Sequence, residues 1–329
     1  MRSNRLFWLI KTSFLTVFIL SSPVLAIDRT SAELVDAVNG TPDTVSRDAG
    51  KKIKLRNHAK GFCTSGTFIP NPKLQHTLTI PFFKQDEIPV VARFSLGGTN
   101  PHASDRGAGR FMSLKIDGHK ESLNFVTTNS PVFFASNLEE FFNFQTKVKQ
   151  GAEGKKWLMD NQPNAKTFFN YINTLPPSVS FANSRYFGVN SFLFSANNGQ
   201  IMPGRWSFEP VDGEIYLSQA KLDSLPNDFL KTELLTRIKQ KPAEWDLYIQ
   251  LAQPSDEIND PTVLWPESRQ RLLVGQVRID GKRDNETATI QCDRGIFNPV
   301  LLPKGIAPSA DPILNARTPA YIESFIRRQ

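Results

Sequence analysis

Apolar residues recur at every second position along much of residues 74–293. That period of two predicts strands with one buried face. The segments that carry it are 74–80, 89–96, 111–117, 123–128, 186–195, 201–208, 245–252, 272–280 and 288–293. They are rich in Val, Ile, Phe and Thr, which suit a pleated, half-buried surface. Turn sequences such as Asp117-Gly118-His119 and Asp280-Gly281-Lys282 separate them. Helical signals interrupt this pattern. Ser136-Asn137-Leu138-Glu139 has the form of a capping box opening a helix that ends near Lys149. Segments 164–173 and 226–240 are further helix candidates, and a C-terminal helix begins at Ser309. Residues 27–53 read as a polar N-terminal arm, and 252–270 as a Pro- and Asp-rich loop. The pattern predicts an α+β fold: a large antiparallel sheet, closing into a barrel, with inserted and C-terminal helices.

The first residues change the picture of where the protein works. Arg2, Arg5 and Lys11 precede an apolar run from Ser13 to Leu20, and Val24 and Ala26 suit a signal peptidase. The run is short of the ~20 apolar residues a membrane span needs. The expectation is therefore a signal peptide over 1–26, cleaved after Ala26, and one domain over 27–329. The product would be exported to the periplasm, with no stable membrane insertion after cleavage. Removal of that segment lowers the net charge from +7 to +4. No arginine-rich stripe accompanies this mild charge, so nucleic acid is not an expected partner.

Chemistry-bearing residues are few. The four histidines are dispersed and form no H-E-x-x-H, and the two cysteines, Cys63 and Cys292, are too far apart for a Cys-rich zinc motif. An exported chain could pair these cysteines, a point their spacing leaves open. The glycine-rich GGTNPHASDRGAG lacks the Gly-Lys-Ser/Thr of a phosphate loop, and no G-x-S-x-G marks a hydrolase. Two features stand out: His58 within the polar LRNHAKGFC, and Arg317 four residues before Tyr321 in NARTPAYIESFIRR. On a helix that spacing puts both on one face.

RNHAKGFCTSGTF, VARFS, SPVFF and FNPVLLPKGIAPSADPILNARTPAY occur in the order found in haem catalases. From about residue 50 to the end the chain resembles that family. YFGVNSFLF and QLAQPSDEINDPTVLWP look like its short, catalase-related peroxidase branch. The resemblance implies haem, of the b type, with Tyr321 as the axial ligand of the iron. A phenol has a pKa of ~10, and ferric iron with a nearby cation such as Arg317 can hold it as phenolate. His58 matches the distal acid–base residue, and Ser95 the serine that orients it by a hydrogen bond. Arg93 and Arg328 match arginines that pair with haem propionates. Phe134 and Phe141 match aromatic positions near the haem.

Departures from the family pattern narrow the implied activity. Thr128 stands where full catalases carry an asparagine, with Asn129 one place on. Leu55 stands at the first propionate-binding arginine, with Arg56 one place on. Phe111 replaces a glycine after Arg110, and Pro319 lies between Arg317 and Tyr321. The implied function is a peroxidase that reduces hydrogen peroxide or organic hydroperoxides. It would work through an oxoferryl intermediate and a small organic electron donor, with weak residual catalase activity. A haem isomerase or dehydratase of lipid hydroperoxides and a non-catalytic haem-binding protein are the alternatives. A homo-oligomer is compatible with all three.

Overall fold

The computed structural model describes residues 29–38, 45–48, 51–54, 57–282, 290, 292 and 295–327. A two-stranded hairpin, β1 (Val45–Asp48) and β2 (Lys51–Lys54), precedes the main sheet. Eight longer strands follow: β3 (Gly61–Pro70), β4 (Ile88–Ser95), β5 (Phe111–Asp117), β6 (Ser122–Thr128), β7 (Tyr186–Ser195), β8 (Ile201–Pro210), β9 (Ala243–Leu251) and β10 (Arg271–Ile279). Pairing runs β7-β6-β5-β4-β3-β10-β9-β8 and returns from β8 to β7, all antiparallel. The ring is thus a closed barrel, and closure satisfies the backbone donors that a sheet edge would expose. A short strand, β11 (Ile306–Pro308), adds to β7.

Strict alternation decides which side chains fill the barrel. On β9, Ala243, Trp245, Leu247, Ile249 and Leu251 are buried and the residues between them are not. On β5, Met112, Leu114 and Ile116 point inward, leaving Phe111, Ser113 and Lys115 on the outer face. Phe68, Phe94, Phe194, Phe208 and Trp245 give this core most of its bulk. Each fully buried aromatic of this size contributes roughly 1.5–3 kcal/mol.

Helices cover part of the outer face. α1 (Ser31–Val38) is followed after β6 by α2 (Leu138–Lys147), α3 (Gly151–Asn161) and α4 (Pro163–Ile172). These build a second, smaller core around Phe134, Phe144, Leu158 and Phe169, to which Ile313 belongs. Two helices, α5 (Gln219–Asp223) and α6 (Phe229–Gln240), lie between β8 and β9. The chain ends in α7 (Pro312–Asn315) and α8 (Arg317–Ile326). α1 packs against both α2 and α8. Arg29 reaches Glu139 of α2 at 2.7 Å, and Arg327 reaches Asp36 of α1 at 2.5 Å.

Several expectations are corrected. Segment 74–80 is not a strand: Asn71 accepts a hydrogen bond from the Lys73 amide and starts a 3-10 helix over Pro72–His76. β3 goes unrecognised in the sequence because its inward positions include Thr64 and Gly66. A Cβ on Gly66 would stand 2.2 Å from the Arg278 carbonyl, so the β3–β10 seam requires glycine there. The capping box is displaced by one: Asn137 accepts from the Glu140 amide, and Glu140 accepts from the Ser136 amide and hydroxyl. The helix it opens ends at Lys147. Segment 226–240 becomes helical only at Phe229. The C-terminal helix starts later than Ser309, in two pieces, because Asp311 caps α7. The strand expected over 288–293 lies outside the described residues except for Ile290 and Cys292, both helical. Residues 1–28 lie wholly outside them. Among the described residues no helix is long and apolar enough to cross a membrane.

Cys63 of β3 and Cys292 are joined as a disulfide, with their Cα atoms 6.3 Å apart and a sequence separation of 229. A cross-link over so long a loop removes much denatured-state entropy, roughly 3–5 kcal/mol in the chain-entropy picture. Cys63→Ser should lower the unfolding free energy in urea by roughly 2–5 kcal/mol. An unchanged urea midpoint would show that the bridge contributes nothing to stability.

Candidate active site

One cross-strand row organises the site. Gly61 pairs with Ser95, Ser95 with Phe111, Phe111 with Thr128, and Thr128 with Phe187. Directly paired residues project to the same face of a sheet. Their sequence neighbours Phe94 and Met112 fill the barrel, so Ser95, Phe111 and Thr128 lie on its outside. Arg93, two residues before Ser95, shares that face and stands opposite Cys63.

His58 is placed just before this row by a stitched turn. Asn57 Oδ1 accepts from the His58 amide (2.8 Å) and the Gly98 amide (3.2 Å). The Ala59 amide donates to the Gly98 carbonyl, and the Leu96 amide to the Lys60 carbonyl. Arg93 Nη2 donates to the His58 carbonyl at 2.7 Å. His58 is the sole non-glycine residue with positive φ (54°) among the described residues. That conformation costs about 1–2 kcal/mol and persists only where neighbours enforce it.

The imidazole is bonded through Nδ1 to the Leu96 carbonyl at 3.2 Å. A carbonyl only accepts, so Nδ1 carries the hydrogen and Nε2 keeps a lone pair. The hydrogen bond expected from Ser95 is thus made by the backbone of the next residue. Ser95 itself is buried beside the turn, its Cβ 2.8 Å from where a Cβ on Gly61 would stand. Phe111 lies edge-on to the imidazole, with ring centroids 4.3 Å apart. Desolvation and then the positive charge of Arg93 lower the His58 pKa to about 4; the Leu96 carbonyl opposes them, and the charge of Arg317 adds a smaller lowering.

The influence of Arg317 brings the C-terminal helix to the same place. Arg317 Nη1 donates to Tyr321 Oη at 3.1 Å, as the four-residue spacing predicts. Pro319 does not disturb this pair. It lies in the first turn of α8, where an amide has no intrahelical acceptor to lose. Nη2 of Arg317 donates to Asn190 Oδ1 at 3.3 Å, and Asn190 Nδ2 donates to Asp311 Oδ2 at 2.6 Å. Asn190 reaches outward because β7 bulges between Phe187 and Ser191 against β8. Asp311 also accepts from the Ile313 and Leu314 amides. Burial pushes its carboxyl pKa up, opposed by these donors and by the charge of Arg317.

The remaining candidates divide. Thr128 Oγ1 accepts from the Ser130 amide at 3.3 Å, which leaves its hydroxyl proton available. Asn129 cannot replace it. Its amide donates to the Ala108 carbonyl and accepts from the Arg110 amide, and so clamps the 108–110 turn. Phe134 is buried in the helical core, stacked on Phe144 at 3.8 Å. Phe141, on α2, is half-buried and stacks on Phe134 at 5.7 Å. Arg328, Leu55 and Arg56 lie outside the described residues. Sequence reasoning missed Asn57, Leu96, Asn190 and Asp311. The Asn immediately before a His in a short polar turn was the one available signal among them.

These residues fit a haem. Tyr321 offers an oxygen donor that is hydrogen-bonded to the guanidinium of Arg317. Arg317 Nε is buried with no hydrogen-bond partner. No residue of α8 is fully buried, although the helix carries Ile322, Phe325 and Ile326. Among the described residues no group of three or more His, Cys, Asp or Glu could hold a bare metal ion.

A histidine whose folded-state pKa is depressed stabilises the native state fully above its unfolded pKa, near 6.5. That contribution is lost as pH falls towards about 4. In an NMR titration of the haem-free chain, the His58 ring protons, assigned by their loss in His58→Ala, should titrate near 4. A midpoint near 6.5 would contradict the desolvated environment.

Comparison with known proteins agrees with this architecture. The profile of the catalase family matches residues 43–329. A catalase-related peroxidase of Synechococcus elongatus is 33% identical over 311 residues, covering 91% of this chain and 88% of that protein. One from Mycolicibacterium paratuberculosis is 29% identical, covering 90% and 93%. Against the peroxisomal catalase of Toxoplasma gondii the identity is 24%, and the match spans only 58% of that longer protein. The structure of catalase A from Saccharomyces cerevisiae superposes with a TM-score of 0.75 at 19% identity, covering 84% of this chain and 61% of that one. By its barrel and by the extent of the profile match, this chain belongs to the catalase family.

Proposed function

We propose that this protein is an exported, haem-dependent peroxidase that reduces hydrogen peroxide or organic hydroperoxides at the expense of a small organic donor. One observation carries the reading. A neutral imidazole with a free Nε2 and a phenol paired to a guanidinium lie close enough for that guanidinium to act on the imidazole. Tyr321 Oη would hold the iron, Arg93 and Arg328 the carboxylates of haem b, and Phe134 and Phe141 its apolar ring. Bound haem would supply redox-active iron and, with it, the one-electron chemistry that oxidation of an organic donor requires.

The chain's own residues manage protons and charge. Nε2 of His58 takes the proton from the inner peroxide oxygen and returns it to the outer oxygen, which leaves as water or alcohol. The Leu96 carbonyl keeps the tautomer that allows this. Thr128 offers one hydroxyl hydrogen to the bound peroxide. Arg317 holds the Tyr321 oxygen in place by its hydrogen bond. An amide at residue 128 would offer two hydrogens, and Asn129 is engaged elsewhere. The single hydroxyl favours return to rest by an organic donor over reaction with a second peroxide. The same threonine favours a second reading, rearrangement of lipid hydroperoxides.

Export of the product of cleavage after Ala26 is supported by the Cys63–Cys292 bridge, which persists in oxidising compartments. One catalase-like unit over 27–329 completes the proposal.

His58→Ala, loaded with hemin, should oxidise guaiacol with peroxide roughly 10²–10⁴-fold more slowly than the parent chain. Equal rates would remove His58 from the mechanism. With a fatty-acid hydroperoxide, donor-dependent formation of the alcohol supports the peroxidase. Donor-independent epoxide or ketone products would replace it with the rearrangement reading.

A further inference from the structure

Phe111 occupies the outer-face row between Ser95 and Thr128, yet the peroxidase reading gives it no part. Its ring makes an edge contact with His58 at a centroid distance of 4.3 Å and an interplanar angle of 64°. The same ring lies against Gly97, where an added Cβ would come within 3.1 Å of it. Gly97 sits between the Leu96 carbonyl that bonds Nδ1 and the Gly98 amide that bonds Asn57. The imidazole is therefore held on one side by the 96–98 backbone and against an aromatic edge on another.

A single hydrogen bond of 3.2 Å leaves a ring free to swing about that contact. An apolar ring in van der Waals contact removes the swing and excludes water from the surface it covers. The charged and polar groups that act on the imidazole are Arg93, Arg317 and the Leu96 carbonyl. Phe111 is the apolar wall among them.

We propose that Phe111 is a positioning residue for the reaction: it fixes the plane of the His58 ring and shields the side it covers from water, so that the ring is held ready to take a proton from peroxide. The proposal rests on the peroxidase reading for its chemistry, but not for its first test. Its physical basis is desolvation, which disfavours the charged imidazolium and ranks first among the causes of the depressed His58 pKa.

The test compares Phe111→Ala and Phe111→Tyr with the parent chain. In the haem-free chain, Phe111→Ala should raise the NMR titration midpoint of His58 by about one pH unit or more, and Phe111→Tyr should restore it. In the hemin-loaded enzyme, the acid limb of kcat/KM for guaiacol oxidation should move upward with the first variant and back with the second. Phe111→Val, whose β-branched side chain suits a strand, serves if the alanine variant fails to fold, and should shift both readouts in the same direction. A titration midpoint unmoved by loss of the ring would overturn the proposal. If the hemin-loaded parent chain oxidises no donor, the peroxidase reading fails, while the haem-free titration still decides the role of Phe111.

Discussion

Arg317 is the group on which the rest of the site depends. One end of its guanidinium holds the Tyr321 phenol, the other the Asn190 amide, and its charge acts on His58. A half-buried cation is costly to desolvate unless its donors are met. Each element nearby serves that need. The β7 bulge turns Asn190 outward, Asp311 locks the amide, and the same carboxylate caps α7, which sets the start of α8. Removal of Asn190 or Asp311 would therefore reach α8 without touching Tyr321.

The barrel supplies the opposing half through register. Ser95, Phe111 and Thr128 share one face because they pair directly across β4, β5 and β6. A slip of one residue would turn all three inward and bring Phe94 and Met112 out. Closure of the eight strands excludes that slip. The strained turn at His58 is anchored to the same frame by Arg93 and by the backbone of 96–98. Positioning of the short loop that carries His58 thus becomes a property of a rigid barrel, the usual relation between functional loops and scaffolds.

How much of this was legible in the sequence followed from where the signal resides. Strands such as β5 and β9 alternate cleanly because one face meets the core and the other does not. β3 was invisible because Thr64 and Gly66 sit where large apolar residues would announce a strand. α3 was missed because Gly151 and Gly154 lower helix propensity, and Gly154 is there to let the chain pass the Lys147 carbonyl. At the site, the Arg317–Tyr321 pair was suggested by the resemblance together with the four-residue spacing, against the bend that Pro319 could introduce. The partner of His58 was not, because the acceptor is the backbone of Leu96 and any residue carries a carbonyl. Nor was the disulfide, since its two cysteines are 229 residues apart and only the fold brings them together.

In the proposed site Tyr321, paired with Arg317, is the oxygen donor to haem iron. The most direct measurement is the visible absorption spectrum of the full chain titrated with hemin, beside that of Tyr321→Phe. Saturable binding with ferric-phenolate bands is expected in the parent chain, and weakened binding or displaced bands in the variant. Identical ferric spectra and affinities for the two chains would contradict it.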